Sequence, residues 1–172
     1  MFDKAVVNTA IKYGVTGGIV SFAYILILAL IGFENPYDNT SEYSSTLVFG
    51  SVFIFLAIKY FKKFHDSELG FGKAFKVGFV TVFFLAFTSA MLLCIYSFLA
   101  GEELIKEYII LSQKRMELTR QELTQMMGEV NYKNAYQRLN QLNAFTLAQI
   151  SFVNRMVAGF FISIVLGVFF RK

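Results

Sequence analysis

AFKVGFVTVFFLAFTSAMLLCIYSFLA, residues Ala74–Ala100, carries one charge, Lys76 in its first turn, and no proline. At 1.5 Å rise per residue, about 20 apolar residues cross the ~30 Å hydrocarbon core of a bilayer. This stretch exceeds that minimum and must tilt or project from the membrane. Three further runs flank it. Gly14–Phe33 is uncharged throughout. Ser44–Ile58 extends to Phe61 if Lys59 snorkels toward the headgroups. Met156–Phe170 begins near Leu147, because Asn154 and Arg155 interrupt its first turns. The reading is an all-α membrane protein, one domain over 1–172, with four transmembrane helices at 14–33, 44–61, 74–100 and 147–170. An extracytoplasmic helical hairpin, 101–146, is inserted between helices 3 and 4.

Composition agrees. Of 172 residues, 56% are hydrophobic and 16% charged, far from the usual soluble balance. The lone cysteine, Cys94, falls in an apolar run and reads as a small packing residue. The net charge of +4 does not indicate nucleic acid, because the bases sit beside apolar runs and not along one exposed stripe. The first run is too long for the apolar core of a signal peptide, lacks a clean small-x-small cleavage site, and is followed by three more spans.

Orientation follows from Lys and Arg. Lys4 and Lys12 precede the first span, Lys59, Lys62, Lys63, Lys73 and Lys76 surround the second connector, and Arg171 and Lys172 end the chain. The first connector carries Glu34, Asp38 and Glu42 and no base. Both termini are therefore expected in the cytoplasm of a multi-pass protein and the Phe33–Tyr43 loop outside. The third connector is basic at Lys106, Lys114, Arg115, Arg120, Lys133 and Arg138, with Arg155 beyond it, but its glutamates nearly cancel these.

Between Glu102 and Met127 that connector reads as one amphipathic helix, with Ile105, Ile109, Met116, Leu123 and Met127 on one face as the candidate partner-binding surface. Gly101 offers a hinge to the third span, or the two form one bent rod. Gly128 ends the helix. A second stretch, with Tyr132, Tyr136 and Leu139 on one side, leads directly into the fourth span. These stripes must cover each other, a partner or the membrane surface.

Nothing resembles an active site. His65 and Asp66 are adjacent and do not share a helix face, and no second histidine completes a metal site or triad. Met116, Met126 and Met127 lack any Cys or His beside them and read as packing residues, so no metal or cofactor is expected. No acid lies deep in a span, and Arg155 is close enough to the interface to snorkel or be neutralised by a neighbour. A polar path would have to be assembled from Ser21, Tyr24, Thr88, Ser89, Ser97, Asn154 and Ser163. Small residues recur on one face at intervals of four or eight: Gly14 and Gly18 in the first span, Gly78, Ala86 and Ala90 in the third with Val82 between, Gly159, Ser163 and Gly167 in the fourth. Such stripes let helices approach closely in lipid, so spans one, three and four are expected to meet along them.

The run Phe71-Gly72-Lys73-Ala74-Phe75-Lys76-Val77-Gly78, with Lys12-Tyr13-Gly14, Ile58-Lys59-Tyr60-Phe61-Lys62-Lys63 and the basic tail, resembles the domain of unknown function 4199 family, small four-span membrane proteins of Bacteroidota. The resemblance covers nearly the whole chain and implies a bacterial inner-membrane location, with no catalytic residues to carry over. It also implies, at most, an accessory relationship to a membrane-associated glycosyltransferase. The expected function is a non-enzymatic accessory or interaction subunit that binds another membrane or envelope protein, or forms a homo-oligomer. The alternative is an oligomeric small-molecule transporter or lipid-handling protein.

Overall fold

The computed structural model describes residues 3–171, so Lys172 of the basic tail lies outside the described residues. The elements are α1 (Lys4–Leu30), α2 (Asn39–Ser45), a π-helical turn (Thr46–Gly50), α3 (Ser51–Phe64), α4 (Phe71–Ala100), α5 (Glu102–Leu118), α6 (Arg120–Met127), α7 (Glu129–Leu139) and α8 (Ala144–Phe170). α2, the π turn and α3 run on as one rod, Asn39–Phe64, so among the described residues four rods are long and apolar enough to cross a membrane. In lipid each backbone polar group must be satisfied within its own segment, which is why the apolar runs become helices.

Three of the four rods begin where a polar side chain caps them, not where the charges stop, whereas α4 starts after Gly70 without such a cap. Asp3 accepts from Ala5 N at 3.0 Å, so α1 starts at Lys4 and takes in Lys12. Asp38 accepts from Thr40 N, and Asn143 from Thr146 N at 2.9 Å. Two sequence-based expectations change. The Glu102–Met127 helix is two helices, interrupted at Thr119, whose backbone leaves the helical region at φ −104° and ψ 15° while its hydroxyl donates to Arg115 O at 2.9 Å. The stretch ending at Leu139 does not run directly into the fourth rod: the chain turns at 140–143 and restarts at the Asn143 cap.

α4 is the centre of the bundle, with its most extensive contacts to α1 on one side and α8 on another. A Cβ on Gly14 would lie 2.7 Å from Phe84 Cβ and Thr81 O, and one on Gly18 2.7 Å from Thr88 Cβ. Gly159 lies so close to the Val82 methyls that a side chain there would collide with them. These glycines therefore set the α1–α4 and α4–α8 separations, by close packing that substitutes for burial from water. Large apolar side chains such as Ile27, Phe87, Phe161, Val165 and Phe169 face outward, as a lipid-embedded bundle requires.

At one end of the bundle Val6, Phe61, Leu69 and Phe170 share a core cluster. Lys62 Nζ donates to Phe170 O at 3.0 Å, and Lys12 Nζ lies over the Tyr60 ring at 5.0 Å. The opposite end carries α5, α6 and α7.

Candidate functional site

Two features at the α5–α7 end stand out. The first is a buried polar centre. Arg155 on α8 is 1% exposed and Glu42 on α2 is 7% exposed. Arg155 Nη1 donates to Thr46 Oγ1 at 3.0 Å, Arg155 Nε lies 3.6 Å from Glu42 Oε1, and Asn154 Nδ2 donates to Glu42 Oε2 at 3.3 Å. Arg155 thus does not snorkel. It is neutralised internally by an acid that the sequence placed in the loop outside the second span, because α2 begins at Asn39 and carries Glu42 into the bundle.

Thr46 opens the π turn and hydrogen-bonds Glu42 O through its hydroxyl at 2.9 Å. A π turn inserts an extra residue into a helix and reorients the side chains around it. Here it lies between the α2 turn that supplies Glu42 and the α3 face that packs on the core.

The second feature fastens the short helices to the bundle. α5 runs beside the 33–40 loop: Asn35 Nδ2 donates to Leu104 O at 3.4 Å, Tyr37 meets the Tyr108 ring at 5.8 Å, and Arg115 Nη2 donates to Asp38 Oδ2 at 2.6 Å. That bond holds the Asp38 carboxyl below the usual carboxylate range, against the opposing effect of burial. Burial raises the Tyr37 hydroxyl, and its 2.8 Å bond to Ser97 Oγ partly offsets this.

α7 folds back on α5. Tyr132 Oη donates to Met116 O at 3.3 Å, Tyr136 Oη to Glu117 Oε1 at 2.7 Å, and Gln113 Nε2 to Asn140 Oδ1 at 2.9 Å. Gly101 and Gly128, with φ of 82° and 83°, supply the left-handed corners at which the chain enters α5 and α7.

A family profile described as "Protein of unknown function (DUF4199)" matches residues 12–172. The chain belongs to this family. No curated protein matches it, and no solved structure does.

The residues singled out in this DUF4199 chain separate by location. Gly14 and Gly18 face α4, Gly78 faces Ser163 Oγ across 3.1 Å from a Cβ position, and Gly167 faces Phe71 and Phe75. Ala86 and Ala90 are buried at 0% and 7% exposure. Ile105 is buried with Tyr37, Leu93, Ala144 and Leu147, with Ile109 packed against the cluster. Met116 and Leu123 are half-buried and Met127 is exposed, so the five do not form one open face. Instead Leu118, Met126 and Val130, around the breaks at Thr119 and Gly128, stand 78%, 84% and 72% exposed. Ser163 directs its hydroxyl to Gly159 O, and Ser97 to Leu93 O. Among the described residues no group of three His, Cys, Asp or Glu could hold a metal ion. His65 packs against the Phe61 ring at 5.2 Å.

Proposed function

We propose that this DUF4199 protein is a non-enzymatic accessory subunit of a bacterial inner membrane, with both termini in the cytoplasm, whose α5–α7 helices bind another membrane or envelope protein on the far side. One observation carries the reading. Leu118, Met126 and Val130 are strongly exposed in a segment otherwise rich in Glu, Gln, Lys and Arg. A few exposed apolar anchors inside a polar rim are the usual anatomy of a docking surface. The Asp38–Arg115 pair and the Tyr37–Tyr108 contact support the reading, because they hold that surface in place relative to the bundle. The clustering of Lys62, Phe170 and the Lys12–Tyr60 contact at the opposite end supports the orientation, since the positive-inside rule puts such a rim in the cytoplasm.

Affinity purification in mild detergent tests it, comparing the native chain with a Leu118→Ser, Met126→Ser, Val130→Ser variant that still elutes as a monodisperse particle. A membrane-associated glycosyltransferase is the first partner to look for, on the strength of the family resemblance. The expected result is a partner recovered with the native chain and lost with the variant. Equal recovery with both rejects the surface.

A second reading, lipid handling between paired protomers, is favoured by an apolar groove between α4 and α8. It is lined by Phe87, Ala90, Met91, Cys94, Phe145 and Phe152 and is open to the surface of the bundle. A detergent-corrected mass of a strict monomer would remove it.

A further inference from the structure

Beside the Glu42–Arg155 pair lies a small cavity of about 20 Å³, room for a single water molecule, for which at least ~10–15 Å³ is needed. Its lining includes Glu42 and Ser151, with Ile25, Leu93 and Leu147 among the apolar residues, together with Tyr37 and Tyr108. Ser151 is 4% exposed and Glu42 7%. Among the described residues Ser151 Oγ and Glu42 Oε1 have no protein hydrogen-bond partner, nor do Arg155 Nε and Nη2. Buried polar atoms without partners are costly, because the full desolvation penalty of each is left uncompensated.

We propose that this cavity is a binding site for one ordered water molecule, which donates to the Glu42 carboxylate and exchanges a hydrogen bond with Ser151 Oγ. Charge and donor chemistry decide the class of ligand. A cation would meet Glu42, but Arg155 at 3.6 Å cancels that charge, and the remaining polar neighbours are neutral. An anion would meet the Glu42 carboxylate in the cavity wall, whereas Arg155 does not line the cavity. Water alone can donate to the carboxylate and also accept from, or donate to, the serine. It turns a loose ion pair into a hydrated one, held under the Tyr37–Tyr108 contact where α5 meets the 33–40 loop.

The test is a structure of the full chain in lipid nanodiscs at a resolution that displays ordered water, paired with melting in defined salts. The expected result is a compact density within hydrogen-bond reach of both Glu42 and Ser151 Oγ that is lost in Ser151→Ala. Melting midpoints are expected to be equal in sodium chloride, N-methylglucamine chloride and sodium gluconate at one ionic strength. The proposal is overturned if ordered side chains surround no density, or if the density persists in Ser151→Ala. A saturable rise of the midpoint with sodium alone, or with chloride alone, overturns it in favour of an ion.

Discussion

Arg155 Nε faces Glu42 Oε1 across 3.6 Å inside the bundle, and among the described residues the only hydrogen bond of that guanidinium is the one from Nη1 to Thr46 Oγ1 at 3.0 Å. Arg155 is 1% exposed, too buried inside the bundle for its charge to be left without a counter-ion.

Removing one partner of a buried pair typically costs ~3–5 kcal/mol, whereas replacing both by apolar groups is often neutral or stabilising. Glu42→Leu and Arg155→Leu are each expected to lower the melting midpoint sharply in detergent, and the double variant to recover most of the loss. Additive losses in the double-mutant cycle would mean that the two charges do not act as a pair.

The α4 contacts make a graded series. Gly159→Leu must displace the Val82 methyls and Gly14→Leu the α4 backbone at Thr81. Each is expected to cost about 1–3 kcal/mol by overpacking. Phe161→Leu, at a lipid-facing position 61% exposed, is expected to leave the midpoint nearly unchanged. Thermal aggregation of the three solubilised variants checks the order.

Asp38 titrates below its ordinary range in the folded protein because Arg115 bonds to it. A depressed carboxyl contributes stability that is present above the ordinary value, about pH 3.9, and lost as pH falls through the depressed one. Arg115 is largely exposed, so the contribution is small, up to about 1 kcal/mol. Arg115→Ala is expected to lower the midpoint slightly at pH 7, and the difference from the native chain to vanish on acidification below pH 4. Midpoints of both proteins across that range check it.

Orientation has its own test. In a Cys94→Ser background, a cysteine at Val130 is expected to react with an impermeant maleimide in cells with an opened outer membrane, and one at Lys63 only after lysis. The reverse pattern would invert the proposed orientation.

The four rods were legible because lipid leaves a long apolar run no alternative to helix, and the breaks at Gly101 and Gly128 because glycine takes positive φ without cost. Other features depended on interactions that no run length reports. Asp3 and Asn143 start helices through local side-chain caps, and a non-helical backbone at Thr119, φ −104° and ψ 15°, separates α5 from α6. The Glu42–Arg155 pairing joins residues far apart in sequence, brought together by the packing of α2 and α8. A guanidinium inside an apolar run was nonetheless a signal that an acid must come to it, and Glu42 is the acid nearest the start of the second apolar run. Ile105 illustrates the limit of periodicity, which marks an apolar face but not whether this chain or another covers it.

The docking claim is tested most directly by site-specific photocrosslinking in native membranes, with a photoreactive residue at Met126 and a control at Gln121 on the same helix. The expected result is a discrete protein adduct at Met126 that is weak or missing at Gln121. Adducts only to lipid at Met126, or equal protein adducts at both positions, would contradict the claim that the exposed apolar residues of α5–α7 dock a partner.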